Sequence, residues 1–159
     1  MLFLLIFAFM KIDDEIKQYK FESNLQKAII NLLFTNNWHR DKINTILKSF
    51  DLQPQHFNIL RILNGNYPNA VSPGYIKQVM IDKGVDLTRM LDKLDKLNLI
   101  KRNLCPSNRR KIDLNLTDEG ILMLQKLSPH LDAHYLELKN NLTEAESEQL
   151  SLLLDKLRG

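Results

Sequence analysis

The hydrophobic pattern of this chain changes its period late in the sequence. Up to Leu97 the apolar residues recur three and four positions apart, which predicts helices. The segments Leu99–Leu104 and Ile112–Leu116 instead follow the period of two that is typical of strands, and Pro106–Arg110 between them is rich in turn-forming residues. Helical spacing returns after Thr117. The sequence therefore predicts a mainly α-helical fold that carries a small β-hairpin.

The helices before residue 52 are predicted from apolar spacing and from polar breaks. The spacing indicates one long helix from about Lys11 to Thr35, and a second helix over Asp41–Phe50. Two consecutive asparagines, Asn36 and Asn37, are expected to separate them because asparagine is a weak helix former.

Three shorter helices are predicted between residues 52 and 98. Pro54 is suited to the first turn of one, while Ser72 and Pro73 supply the cap and first residue of the next, with Ile76, Val79 and Met80 facing inward. The third covers Val85–Leu97 and ends at Asn98, which tolerates the left-handed conformation. Its predicted buried side consists of Leu87, Leu91, Leu94 and Leu97.

Two further helices are predicted after the hairpin. Thr117 is placed to cap a long helix, and Thr143 with Glu146 forms a capping-box pattern before a last helix that runs through Leu157. Three helices followed by a hairpin make a winged helix-turn-helix. We therefore predict a winged helix-turn-helix DNA-binding domain over residues 52–117, flanked by dimerisation helices over residues 1–51 and 118–159.

The distribution of charge agrees with a polyanionic partner. The whole chain has a formal net charge of +3, but residues 54–117 contain 11 Lys and Arg against 5 Asp and Glu. Residues 118–159 contain 4 Lys and Arg against 8 Asp and Glu. A basic region in the middle of the chain fits double-stranded DNA, although many lysine-rich faces are only solvated.

The first ten residues form an apolar run that is far shorter than the roughly 20 residues needed to span a bilayer. It lacks the basic start and small-residue cleavage site of a signal peptide. We interpret it as a misannotated extension upstream of Met10 or as an extension of the first helix. A membrane anchor is the alternative, whereas a cytoplasmic protein is the main expectation.

The winged-helix geometry predicts which residues approach DNA. The helix after residue 84 should enter the major groove, with its amino-terminal residues near base edges and its later lysines near phosphates, while the hairpin tip reaches the minor groove. The alternative is a solvated face on which Arg89 and Lys93 pair with Asp86, Asp92 and Asp95. The predicted DNA-binding residues are Val85, Asp86, Thr88, Arg89, Lys93, Lys96, Arg109, Arg110 and Lys111.

Five segments in succession resemble the signatures of the MarR family of transcriptional regulators. They are Leu52–Leu60, Leu87–Leu94, Leu99–Arg102, Asn108–Arg110 and Leu116–Gly120. The resemblance implies a homodimer that binds a pseudo-palindromic operator, usually as a repressor released by a small molecule or an oxidant. It also implies that Arg110 is the wing arginine and that Thr88 and Arg89 belong to the recognition helix.

The chain departs from the family pattern at three positions. Asn108 stands where the family usually has Asp, which removes a carboxylate that could brace the wing arginine. Asn98 stands where Gly is usual, and Gln53 replaces a usual Thr cap, which should weaken that helix start by about 1 kcal/mol.

The terminal helices carry more apolar residues than a small winged helix can cover, which predicts a dimer interface. Those in the last helix are Leu150, Leu152, Leu153, Leu154 and Leu157. Burying them against a second subunit would set two half-sites about one DNA turn apart. The alternative function is a winged-helix module that contacts proteins and does not bind DNA.

The candidates for a sensor are weaker. Cys105 is the one cysteine and we interpret it as a bystander, since peroxide-sensing relatives carry their cysteine in the first helix. His130 and His134 share a helix face and form the zinc hypothesis, although two such histidines are usually ordinary polar residues of a surface. We predict no resident cofactor or metal and, in the absence of a catalytic motif, no enzyme activity.

Four aromatic residues are candidates for a ligand cleft, with core packing as the alternative: Phe34, Trp38, Phe50 and Phe57.

Overall fold

The computed structural model describes residues 10–105 and 108–159, apart from the side chains of residues 105 and 108–111. The chain forms two compact units, which divide after Lys42. In chain order the elements are α1 (Ile12–Ile16), α2 (Asn24–Lys48), α3 (Pro54–Asn66), α4 (Pro73–Val79), α5 (Leu87–Lys96), β1 (Ile100–Cys105), β2 (Asn108–Leu116), α6 (Asp118–Lys139) and α7 (Glu144–Arg158).

The predicted helix over residues 11–35 is wrong. Helix α1 ends at Ile16, the capping residue Lys17 has a φ of 55°, and the chain resumes as helix only at Asn24. The turn allows Asp13 and Lys27 to form an ion pair with an Oδ2–Nζ distance of 2.5 Å. In a continuous helix these residues would be about 21 Å apart along the axis, so the observed pair requires the break.

The predicted break at Asn36 and Asn37 is also wrong, because α2 continues through both residues to Lys48. An asparagine in a helix costs no more than about 0.7 kcal/mol relative to alanine, which is too little to stop a helix that contains no Gly or Pro. Ile43 and Leu47 near the end of α2 are buried in the core of the second unit, and this burial favours the continued helix.

The hairpin is a two-stranded antiparallel sheet, as predicted, in which Ile100 is opposite Leu116 and Arg102 is opposite Leu114. Val71 adds a short bridge beside β2, because its N–H and C=O exchange hydrogen bonds of 3.0 and 2.9 Å with Leu114. The sequence pattern did not predict this bridge. It connects the start of the α4 region to the base of the hairpin.

The core of the second unit joins the end of α2 to α3, α4, α5, the base of the hairpin and α6. Two residues that were predicted to be buried lie at its edge. Val79 is 42% exposed because α4 ends there and Met80 takes the inner position, while Leu97 is 38% exposed because it follows the last turn of α5. The fully buried apolar residues of this core are Leu47, Ile59, Leu60, Leu63, Ile76, Met80, Leu94, Ile100, Leu114 and Leu127.

The predicted helix starts at Ser72, Thr117 and Thr143 are confirmed. The hydroxyl of Ser72 accepts a hydrogen bond from the N–H of Tyr75, and Thr143 forms the reciprocal capping box with Glu146. Asn98 has a φ of 56°, the left-handed conformation that its place after α5 predicted. No helix within residues 10–105 and 108–159 is long and apolar enough to cross a membrane.

Candidate nucleic-acid interface

The amino-terminal end of α5 is fixed by hydrogen bonds in its first turn and in the connection that precedes it. The carboxylate of Asp86 caps the helix by accepting a bond of 3.2 Å from the N–H of Arg89. The ammonium of Lys77 in α4 donates to the carbonyl oxygens of Lys83 and Val85 at 2.6 and 3.0 Å. These bonds hold the connection between α4 and α5 in place. The connection therefore fixes the direction in which α5 begins.

Helix α3 is attached to the same connection. The amide nitrogen of Gln55 donates to Asp82 at 3.1 Å, and the side-chain oxygen of Asn58 accepts from the N–H of Ile81 at 3.0 Å. Two adjacent residues of the connection thus bond to two residues of the α3 face. The three helices form the predicted helix-turn-helix arrangement.

Helix α5 buries Leu91 and Leu94, while its opposite side carries the predicted binding residues. Thr88, Arg89 and Lys96 are exposed. Val85, the first of the predicted residues, is half-buried and packs against the core. Lys93 is partly covered, with 35% of its side chain exposed.

Charged residues of α5 form ion pairs with residues of other elements. Arg102 of β1 lies between Asp92 and Asp95, with N–O distances of 2.5 and 3.3 Å, and Lys93 pairs with Asp51 at 2.8 Å. The alternative in which Arg89 and Lys93 pair with acids of their own helix is therefore wrong. Within the described part of the chain, Arg89 and Lys96 have no acidic partner.

Arg102 was not among the residues predicted for the site. Its 29% exposed side chain attaches the hairpin to α5, since both of its acidic partners belong to that helix. One sequence signal for Arg102 was available, because it lies between Ile100 and Leu104 on a side of β1 that is otherwise apolar. An arginine at this position lies beside the helix that precedes the strand. This ion pair joins the two elements that are predicted to contact DNA.

The predicted wing residues Arg109, Arg110 and Lys111 belong to β2. Their side chains lie outside the described part of the structure, so their contact with DNA stays a prediction. Leu104 and Ile112, an opposed pair further down the hairpin, are 65% and 42% exposed. The hairpin thus extends beyond the core.

The base of the hairpin is closed by the Leu116–Gly120 segment. Thr117 donates its hydroxyl to the carbonyl oxygen of Asn98 at 2.7 Å and accepts from the N–H of Gly120 at 3.0 Å. A Cβ atom on Gly120 would lie 2.2 Å from the carbonyl oxygen of Leu99. Only glycine fits this close approach, which explains the Leu-Thr-x-x-Gly pattern in physical terms.

His56 is buried beneath the interface, with 1% of its surface exposed. Its Nδ1 accepts a hydrogen bond of 3.1 Å from the N–H of Gln53, which supplies a bond at the start of α3 where the sequence lacks the usual Thr. Burial lowers the pKa of His56 below its ordinary value of 6.5, and the positive charge of Lys93 lowers it further. The imidazole is therefore neutral and serves as an acceptor.

The two histidines of the zinc hypothesis have different surroundings. His130 is exposed and its ring lies edge-on to Phe50 at 5.5 Å, whereas His134 is buried and 4.0 Å from Glu137. Within residues 10–105 and 108–159, no group of three or more His, Cys, Asp and Glu side chains is arranged to hold a metal ion. The zinc hypothesis thus gains no support from the described residues.

A cavity of about 540 Å³ lies between α3 and α6. Phe57, one of the four aromatic candidates, lines it, whereas Phe50 packs against the core. Phe34 and Trp38 belong to the first unit, so their part in a cleft stays a prediction. The polar residues that line the cavity are Arg61, Asn64, Ser128, Asp132 and Tyr135.

Comparisons with known proteins agree with this geometry. The chain is 31% identical over 130 residues to the multiple antibiotic resistance protein MarR of Salmonella typhimurium, which covers 79% of this chain and 88% of that protein. It is 32% identical over 101 residues to the HTH-type transcriptional regulator PapX of Escherichia coli, covering 64% of this chain and 62% of that protein. No family model matches the chain.

Solved structures share the fold. A crystal structure of a mutant MarR from E. coli complexed with operator DNA matches with a TM-score of 0.69 and 28% identity, covering 85% of this chain and 99% of that one. These relatives are regulators of transcription, in agreement with the mainly helical winged-helix fold and with the expectation that the chain is not an enzyme. The chain therefore belongs to the MarR family of transcriptional regulators.

Proposed function

We propose that this chain is a cytoplasmic, homodimeric repressor that binds a pseudo-palindromic operator through α5 and the hairpin. The observation that carries the proposal is the exposed side of α5, where Arg89 and Lys96 lie without an acidic partner in the described part of the chain. The MarR of E. coli is seen complexed with operator DNA, which supports the same use of the fold here.

The proposed contacts divide by type. Thr88 and Arg89 are near the start of α5 and read base edges, while Lys96 near its end faces phosphate. Lys93 is on the same side of α5 and reaches phosphate only when its pair with Asp51 is open. Arg109, Arg110 and Lys111 of the hairpin reach the neighbouring minor groove, where the negative potential favours arginine. Asp86 contributes through its cap, which orients the first turn of α5, and Val85 through its packing.

The proposed dimer is supported by the exposed leucines of α7, none of whose residues is buried. A ligand site is supported by the cavity between α3 and α6, because a molecule bound there touches the helix that is hydrogen-bonded to the α4–α5 connection. A change in α3 is thereby transmitted to the start of α5. We propose this cavity as the site of a small-molecule inducer.

Binding to a labelled random-sequence duplex at low ionic strength tests the proposal. We expect the affinity to fall steeply with added salt, because each neutralised phosphate contributes about −0.9 to the slope of log K against log salt. Arg110→Ala and Arg89→Ala should weaken binding, whereas Lys126→Ala in α6 is the control that removes one positive charge elsewhere. If the protein does not bind duplex DNA at low salt, the result would favour the alternative function, a winged-helix module that contacts proteins.

A further inference from the structure

Three basic residues form a stripe on the exposed side of α5. Among the described residues, only the middle member of this stripe has an acidic partner. Arg89, Lys93 and Lys96 are spaced four and three residues apart, so they share one side of the helix. Lys93 alone is paired, through a distance of 2.8 Å between its Nζ and Oδ1 of Asp51. Asp51 thus places a negative charge against the centre of the stripe.

The position of Asp51 is set by the backbone. It lies in the turn after α2 with a φ of 55°, its N–H bonds to the carbonyl oxygen of Lys48, and the N–H of Leu52 bonds to that of Leu47. Leu52 is 4% exposed and anchors the turn in the core. The backbone of Asp51 is therefore held beside α5 by the fold and not by the pairing of its side chain with Lys93.

The pair contributes little to the placement of α5. The side chain of Asp51 is 77% exposed, and ion pairs of such exposure contribute only weakly to stability in water. Leu91, Leu94, the Asp86 cap and the bonds from Lys77 already fix the helix. The main consequence of the pair is electrostatic, since it occupies the ammonium of Lys93.

The carboxylate is charged at neutral pH. The hydrogen bond from Lys93 and its positive charge hold the pKa of Asp51 below its ordinary value of 3.8. His56, the other titratable group near the pair, is buried and neutral. Nothing among these groups therefore cancels the negative charge of Asp51 except Lys93.

We propose that Asp51 competes with DNA phosphate for Lys93 and thereby limits the affinity of this regulator for DNA. The inference rests on the proposed function, because it requires that this side of α5 faces the duplex. While the pair is intact, Lys93 neutralises no phosphate, and Arg89 and Lys96 on either side of it carry the contact. Asp51 thus tunes affinity without touching DNA bases.

The variant Asp51→Asn tests the proposal, since asparagine has the same shape and tolerates a positive φ. Binding to a labelled random-sequence duplex is measured over a series of KCl concentrations. We expect the affinity to rise about two- to fivefold, from the range measured for exposed ion pairs. The slope of log K against log salt should steepen by about 0.9, which corresponds to one additional neutralised phosphate.

Two control variants separate the loss of this one ion pair from a general change of charge. Glu148→Gln removes one negative charge from α7, which carries none of the proposed contacts, and should leave the slope unchanged. In a Lys93→Gln background, Asp51→Asn should have no effect on the slope, because the ammonium that the substitution releases is absent. Thermal unfolding of each variant verifies that it is folded.

The outcomes separate the two proposals. If the wild-type protein binds the duplex and Asp51→Asn leaves affinity unchanged or lowers it, Asp51 is no competitor and this inference is overturned while the proposed function stands. A slope that becomes shallower in Lys93→Gln overturns it too, because Lys93 then already neutralises a phosphate. If the wild-type protein fails to bind any duplex, the proposed function fails as well.

Discussion

The region around α5 and the helix α7 differ in how their side chains are covered. Helix α5 buries Leu91 and Leu94 within its own unit, and the ends of its neighbouring segments are hydrogen-bonded. Helix α7 has an equally well-formed start, the capping box of Thr143 and Glu146, but none of its residues is buried. Local signals therefore define both helices, while only one of them is completed by packing within the chain.

The exposed leucines of α7 give this difference a consequence. Leu150, Leu153 and Leu157 are three and four residues apart and so share one side of the helix, where they are 48%, 56% and 45% exposed. We interpret this stripe as the surface that a second copy covers in the proposed dimer. The region around α5 remains free for DNA.

The largest effect is expected from polar substitutions in the α7 stripe. The double variant Leu153→Gln and Leu157→Gln removes four leucine contacts from a two-fold interface, each worth about 1.5–3 kcal/mol when fully buried. We therefore expect a monomer by light scattering at concentrations where the wild type is a dimer. The helix itself should persist, because glutamine is a good helix former.

A matched control lies on the same helix. Leu152 is 61% exposed but lies outside the stripe, so Leu152→Gln should leave the dimer intact. A wild-type protein that is already monomeric, or a double variant that remains dimeric, would contradict the role given to α7.

The second effect concerns the closed base of the hairpin. Gly120→Ala places a methyl group 2.2 Å from the carbonyl oxygen of Leu99 and 2.7 Å from a methyl carbon of Leu116. Overpacking of this kind costs about 1–3 kcal/mol or more. We expect the free energy of unfolding in urea to decrease by that amount.

The control for this substitution is Gly65→Ala in α3, where the added Cβ would meet no atom within 4 Å apart from its chain neighbours and the backbone of its own helix. Alanine in a helix is favoured over glycine by about 1 kcal/mol, so this variant should be more stable than the wild type. Equal effects of the two substitutions would show that α6 does not approach Leu99 closely.

The smallest effect is a pH dependence that originates at His56. Its pKa in the folded chain is lower than the ordinary value of 6.5 that applies to the unfolded chain. Between the two pKa values the unfolded chain therefore binds a proton that the folded chain does not. The free energy of unfolding should therefore decrease as the pH falls below 6.5. His56→Gln, which can still accept the bond from Gln53, should reduce this decrease.

The measurement is urea unfolding of both proteins at pH values on either side of 6.5. His130→Gln is the control, because His130 is exposed. An unchanged pH dependence in His56→Gln would mean that the imidazole is not held neutral by burial.

The sequence predicted the second unit more accurately than the first for a physical reason. The start of α4 at Ser72, the end of α5 at Asn98 and the start of α6 at Thr117 are set by caps that act within a few residues. The break after α1 brings Asp13 to Lys27, fourteen residues further on, and spacing alone does not reveal such a long-range contact.

The site was predicted in part. Helical period identified the exposed residues Thr88, Arg89 and Lys96, because a helix with one leucine side has a defined opposite side. The period could not show that Arg102 and Asp51 pair with the acidic and basic residues of α5, since both come from other elements. The partners of a charged residue are set by tertiary structure.

The proposed function depends on two copies of α5 entering adjacent major grooves, and selection of bound sequences from a pool of randomised duplexes tests this most directly. We predict enrichment of an inverted repeat whose half-sites are centred about ten base pairs apart, one turn of DNA. Arg89→Ala should relax the preference at one position of each half-site. Enrichment of no sequence, or of a single half-site without its inverted copy, would contradict this mode of binding.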